Sequence, residues 1–130
     1  MPGGRVLVVE DNEKNMKLFR DVLRAKGFAT IEAVTGEEGV ELARRHAPSL
    51  VLMDVHLPGV SGVEALARMR ADERTASIPV VALTAQAMRG DRERFLEAGF
   101  DGYLAKPVDV FELIDAVRGF CGSGQTQPPS

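Results

Sequence analysis

Leu50-Val51-Leu52-Met53-Asp54-Val55-His56-Leu57-Pro58-Gly59 is the stretch on which the reading of the fold turns. Four long or branched apolar residues run unbroken into a carboxylate, and Leu57-Pro58-Gly59 then prevents either a strand or a helix from continuing. A run that is apolar on both faces suits the centre of a covered parallel sheet better than a half-exposed antiparallel strand. In open parallel sheets ligands sit beyond the carboxyl ends of the strands, and Asp54 stands at such an end.

Outward from this strand, the same pattern recurs. Arg5-Val6-Leu7-Val8-Val9 is a second β-branched run, and it also ends in acids, Glu10-Asp11, followed by Asn12. From Lys14 to Lys26, Leu18, Phe19, Val22 and Leu23 predict one apolar helix face, stopped at Gly27. Ala29 to Ala33 is short and alternating, as an outer strand should be. Thr35-Gly-Glu-Glu38 opens a helix with a capping box and predicts its end near His46, before Pro48. A second box, Ser61-Gly-Val-Glu64, opens a helix with Val63, Leu66 and Ala67 on its buried face, ending near Asp72.

Ile78 to Thr84 reads as another buried strand, with Pro79 near its start, where a missing amide does least harm. Ala87 to Ala98 predicts a weak helix, because Gly90 costs about 1 kcal/mol relative to Ala and Met88, Phe95 and Leu96 supply most of its apolar surface. It should be the most mobile helix. Gly102 to Ala105 is a short strand running into Lys106-Pro107, and Asp109 starts a last helix whose buried face is Val110, Leu113, Ile114 and Val117. Five strands alternating with five helices predict an α/β doubly wound fold, built from right-handed parallel crossovers with helices on both faces.

At 130 residues the chain makes one domain, expected over 1–121, with 122–130 as a disordered tail or truncated linker lacking large apolar side chains. Cys121 is the single cysteine, so no internal disulfide can form and a reducing compartment, the cytoplasm, is the economical expectation. No window approaches the roughly 18 apolar residues of a membrane span. The net charge of −3, with acids and bases interleaved, argues against nucleic acid as a direct partner.

A parallel sheet brings all strand carboxyl ends to one edge, so Glu10, Asp11, Asp54, Thr84 and Lys106 meet although the sequence scatters them. Three gathered carboxylates repel; a hard divalent cation with oxygen ligands relieves this, and Mg²⁺ would keep some of its waters, with Mn²⁺ an alternative. Cation, ammonium and hydroxyl around one carboxylate suit phosphoryl transfer onto an oxygen nucleophile, here Asp54.

Residues 5 to 120 resemble the receiver domain of two-component response regulators. The resemblance rests on Glu10-Asp11, on Asp54 within L-V-L-M-D-V-H-L-P-G-V-S-G, on Thr84-Ala85, and on Tyr103-Leu-Ala-Lys106-Pro107. It implies a flavodoxin-like (βα)5 sheet of order 2-1-3-4-5, with Mg²⁺ on Asp11, Asp54 and the backbone carbonyl of His56, and Glu10 acting through water. Asp54 would take a phosphoryl group from a histidine kinase or phosphotransfer protein. Lys106, helped by a cis bond to Pro107, would pair with the phosphate, while Thr84, Ala85 and Tyr103 would switch; Pro58 and Gly59 would shape the loop. The protein would signal rather than catalyse, dephosphorylating itself only slowly. The segment Ala87 to Arg94 is similar to free-standing regulators and hybrid-kinase receivers of cell-cycle and phosphorelay circuits.

Asn15, Met16 and Arg20 on the first helix are the expected kinase-docking face, and Arg89, Tyr103 and Val110 the output surface of helix four, strand five and helix five. The His56 and Gln86 side chains flank the expected phosphate and would set its lifetime. His46 should lie at the surface and Cys121 should be an incidental thiol. The competing classes are a haloacid-dehalogenase-like phosphohydrolase, which wants a second Asp where His56 stands, and a phosphorylation-independent interaction module. A flavin site would want a Ser/Thr-rich loop where Glu10 to Lys14 lie, and no G-x-G-x-x-G for dinucleotides is present.

Overall fold

The computed structural model describes residues 4–85 and 91–121, the side chains of residues 91 and 92 aside. Ten elements alternate: β1 (Arg5–Val9), α1 (Glu13–Ala25), β2 (Ala29–Ala33), α2 (Gly36–His46), β3 (Leu50–Asp54), α3 (Gly62–Arg70), β4 (Val80–Thr84), α4 (Asp91–Ala98), β5 (Gly102–Ala105) and α5 (Val110–Cys121). The strands form one parallel sheet in the order β2-β1-β3-β4-β5. This is the flavodoxin-like arrangement expected from the sequence. Register places Val9 beside Met53, Asp54 beside Leu83, and Thr84 beside Ala105, so the ends of β1, β3, β4 and β5 lie at one edge.

The central strands are buried throughout, and their side chains alternate between two cores. Val6, Val8, Leu50, Leu52, Val81 and Leu83 pack with Phe19 and Leu23 of α1 and Leu113 and Val117 of α5. Leu7, Val9, Val51, Met53, Val80 and Ala82 pack on the other face, with Val40, Leu66, Met69 and Phe95 from α2, α3 and α4. The period of two in the strands is what lets apolar helices cover both sides.

Helix boundaries follow their caps. Asn12 Oδ1 accepts from the Asn15 amide at 3.0 Å, Thr35 from Glu38 at 3.1 Å and Ser61 from Glu64 at 3.1 Å. The Glu38 carboxylate returns to the Val34 amide at 2.8 Å, one residue before the cap, whereas Glu64 instead engages Arg68. Asp109 caps α5 through the Phe111 and Glu112 amides. Past α1, the Phe28 amide donates to Leu23 and that of Gly27 to Arg24, the double closure of a Schellman motif.

Several expected buried faces are rotated. On α1 the buried residues are Met16, Phe19 and Leu23, whereas Leu18 is exposed, because the stripe that meets the sheet is narrower than four adjacent apolar residues. Met16, expected on a docking face, is therefore core. On α3 Ala65, Leu66 and Met69 are buried while Val63 and Ala67 face outward. On α5 Val110, the first residue of the helix, is exposed while Leu113, Ile114 and Val117 are buried, because the stripe that meets the sheet begins a turn later. Leu96 of α4 is exposed, and Met88, Arg89 and Gly90 lie outside the described residues, as does the tail 122–130. His46 is half-buried, and its carbonyl accepts from Arg5.

Candidate functional site

Asp54 ends a strand buried along its whole length, and its side chain is itself only 6% exposed. A carboxylate so placed must be satisfied. Its Oδ1 accepts from the His56 amide at 2.9 Å and its Oδ2 from Lys106 Nζ at 2.9 Å. The chain turns just beyond, at exposed Pro58 and at Gly59, whose φ of +73° favours glycine. Lys106 reaches inward because its amide donates to the Thr84 carbonyl at 2.7 Å, continuing the β4–β5 ladder, before a cis bond to Pro107 turns the chain away.

Glu10 is buried to 1% exposure. Its Oε2 accepts from the Asn12 amide at 3.1 Å, while Oε1 lies 2.7 Å from Lys106 Nζ. That second contact is an ion pair without hydrogen-bond geometry, which leaves Oε1 a buried oxygen lacking a hydrogen bond. Burial pushes the Glu10 carboxyl above the ordinary range, and repulsion from Asp54 adds to this; Lys106 and the Asn12 amide offset it in part. Burial works against the Lys106 ammonium, but its short contacts to Glu10 and Asp54 outweigh this and hold its pKa above the ordinary value.

Glu10, Asp11 and Asp54 each present a carboxylate oxygen within 4.8 Å of the others. Two of the three are buried and Asp11 is exposed, so among the described residues a single ammonium answers three acids. Hard oxygen donors, surplus negative charge and an oxygen without a hydrogen bond together fit a divalent cation such as Mg²⁺. Thr84, at the same edge, is 1% exposed, and Ala85 beside it is exposed. The half-buried Tyr103 ring packs on Phe95 of α4, centroids 5.8 Å apart. The exposed His56 contributes its amide to Asp54, and Gln86 lies outside the described residues. A larger depression of about 570 Å³, lined by Arg44, Arg68, Asp72 and Arg74, lies at the opposite ends of α2 and α3 and takes no part here.

Two residues of the site escaped the sequence reading. Asn12 both caps α1 and donates its amide to Glu10; the signal was an Asn directly before a helical run. Gly62 opens α3 directly against β3: a Cβ built there would fall 2.3 Å from the Asp54 carbonyl oxygen and 2.7 Å from the Val55 Cα. No local signal distinguishes that glycine from a loop glycine, because the approach is between segments.

The chain matches the model of the response regulator receiver domain over residues 6–118. It is 47% identical over 117 residues to the polar-differentiation response regulator DivK of Brucella ovis, covering 90% of this chain and 95% of that protein. Among solved structures it resembles the receiver domain of sensor histidine kinase PA1611 from Pseudomonas aeruginosa PAO1, which has a magnesium ion coordinated in its active-site cleft. The identity is 36% and the TM-score 0.84, over 95% of this chain and 99% of that one. It also resembles, at 30% identity and a TM-score of 0.85, a chain of the co-crystal of the Saccharomyces cerevisiae histidine phosphotransfer signaling protein Ypd1 with the receiver domain of its downstream response regulator Ssk1, over 92% and 90% of the two chains. Sheet order, the acidic edge and these likenesses agree, and they displace the haloacid-dehalogenase-like and flavin alternatives: the chain belongs to the response regulator receiver domain family of two-component and phosphorelay signalling.

Proposed function

We propose that Asp54 is the phosphoacceptor and that the protein takes a phosphoryl group from a histidine kinase or phosphotransfer protein to control a downstream partner. The carrying observation is the Lys106 ammonium, which stands 2.9 Å from Asp54 and 2.7 Å from Glu10 although 52 residues separate Lys106 from Asp54. An Asp54 oxygen attacks the phosphorus of a phosphohistidine, the new O–P bond forming as the P–N bond breaks and the imidazole leaves with the electron pair. Lys106 already faces that carboxylate and balances the charge the phosphoryl oxygens bring. Asp11, Asp54 and the His56 carbonyl would hold Mg²⁺, with Glu10 reaching it through water and Mn²⁺ an alternative. When bound, the ion neutralises charge on the transferring oxygens.

Thr84 and Lys106 contact the phosphoryl group better in one arrangement of the β4–α4 loop, Ala85 moving with it, and Tyr103 follows; phosphorylation therefore shifts a population. The face formed by α4, β5 and α5 carries the output, and the protein has no catalytic turnover beyond slow loss of its own phosphoryl group. Residues 1–121 form the receiver unit. The cytoplasm suits the lone thiol, and no helix among the described residues is long and apolar enough to cross a membrane.

Incubation with acetyl phosphate and Mg²⁺, followed by intact mass measurement, tests the reading. Wild type gains one phosphoryl group and Asp54→Asn gains none. A wild type that stays unmodified overturns it, leaving a phosphorylation-independent interaction module, as does an Asp54→Asn variant modified equally well.

A further inference from the structure

We propose that Asn12 is a positioning residue for the cation site: by capping α1 it fixes the direction from which its own amide holds the Glu10 carboxylate, and so sets the affinity for Mg²⁺. This rests on the receiver reading above and deepens it by naming a residue, other than the acids themselves, on which loading of the site depends.

Glu10 is 1% exposed, and its carboxylate has little to orient it. Among the described residues it accepts one hydrogen bond, at Oε2 from the Asn12 amide at 3.1 Å, while Oε1 accepts none. Asp11 lies inside the turn that this bond closes, so the placement of both early acids depends on where Asn12 stands. In the receiver reading Glu10 reaches the ion through water, and an outer partner that tilts such a carboxylate changes metal affinity by about tenfold or more.

Asn12 is in turn held by α1. Its Oδ1 accepts from the Asn15 amide at 3.0 Å and its carbonyl from the Met16 amide at 2.9 Å. Met16 is 4% exposed and belongs to the core that also holds Val8 of β1, so the first turn of the helix is anchored beneath the site. The backbone of Asn12 is extended, with φ −91° and ψ 119°, as a cap requires; its amide turns back to Glu10 while its side chain closes the helix. Alanine keeps that amide but loses the capping oxygen. The Asn15 amide is then left without an acceptor, the first turn frays, and the amide at position 12 loses its fixed direction. Asn12 carries no charge, so an effect of its removal on cation binding comes through position and not through the field at the site.

Mg²⁺ binding to the full-length protein is measured by isothermal titration calorimetry, alongside thermal melts. Asn12→Ala should bind Mg²⁺ about tenfold more weakly than wild type. Asn12→Ser restores a neutral capping oxygen and should lie within about twofold of wild type. Thr35→Ala is the control: it removes the same kind of cap from α2, where Thr35 accepts from the Glu38 amide at 3.1 Å, and should lower the melting temperature as Asn12→Ala does while leaving Mg²⁺ affinity unchanged. Unchanged affinity in Asn12→Ala, no recovery in Asn12→Ser, or an equal loss in Thr35→Ala overturns the proposal. Wild-type binding separates the two readings: if wild type binds Mg²⁺ and Asn12→Ala matches it, the role of Asn12 alone is refuted, and if wild type binds none, the cation site of the receiver reading falls and this role with it.

Discussion

Replacing Gly62 by alanine pits two effects of opposite sign against each other. Helix propensity alone favours Ala by up to about 1 kcal/mol. The new Cβ, however, would stand 2.3 Å from the Asp54 carbonyl oxygen, 2.7 Å from the Val55 Cα and 3.0 Å from the Asp54 carbonyl carbon, all backbone atoms that no rotamer change can clear. Restoring an ordinary separation requires α3 and the end of β3 to part by about 1 Å, and overpacking of this kind costs up to about 3 kcal/mol. The net expectation is a loss of about 2 kcal/mol, seen as a melting temperature lower by roughly 6 °C. Because the displaced atoms carry Asp54, a shift of about 1 Å should also slow acceptance of phosphate from acetyl phosphate by about 100-fold. Gly119→Ala is the control: it lies within α5 with nothing within 4 Å of its Cβ position, so only the propensity gain applies. Urea melts and a Phos-tag time course of both variants decide the matter. A Gly62→Ala protein as stable and as readily modified as wild type refutes the argument that this contact positions Asp54.

Mg²⁺ should raise the melting temperature, contributing about 2.7 kcal/mol at a hundred times its dissociation constant. Since burial raises the Glu10 pKa, ionising that carboxyl destabilises the free protein as pH rises through the carboxylate range, so the Mg²⁺ increment should grow as pH rises in a thermal-shift assay; an increment that shrinks contradicts it. Asp72 is held well below the usual carboxylate range by Arg74 and Arg44, so its contribution is present above the unfolded pKa and is lost as pH falls. Asp72→Asn should therefore flatten the stability profile below about pH 4, read by urea melts across pH. Arg70 donates to the carbonyls of Ala76, Ile78 and Gly99 and to Asp101, tying α3 to the starts of β4 and β5. Arg70→Met should cost about 2 kcal/mol in the same assay, and no loss would mean those carbonyls are satisfied by water. Burial pushes the Cys121 thiol up to about 11, so native protein at pH 7 should react with iodoacetamide roughly 100-fold more slowly than unfolded protein; equal rates would show an accessible thiolate.

Number, kind and order of the elements were legible because they depend on local patterns. The runs 5–9, 50–54 and 80–84 are apolar at every position but the first or last, and Thr35, Ser61 and Asp109 announce helix starts through their own hydroxyl or carboxylate oxygens. The acidic edge was legible for a different reason: a parallel sheet must put all its carboxyl ends together, so Glu10, Asp11, Asp54 and Lys106 were bound to converge once the strands were found. Which side of each helix is buried was less legible. Leu18, Val63 and Val110 are as apolar as Phe19, Leu66 and Leu113, and only the direction from which the sheet approaches separates them.

The sequence by itself therefore determined the doubly wound fold, the carboxyl edge and the identity of the groups that meet there, since each follows from the period of a strand, the chemistry of a cap or the geometry of parallel pairing. Tertiary structure alone decided that Lys106 divides its charge between Glu10 and Asp54 and that Gly62 lies against the Asp54 backbone. These are distances between segments remote in the chain, and they are settled by how tightly helices and strands close on one another, which no local run of residues records.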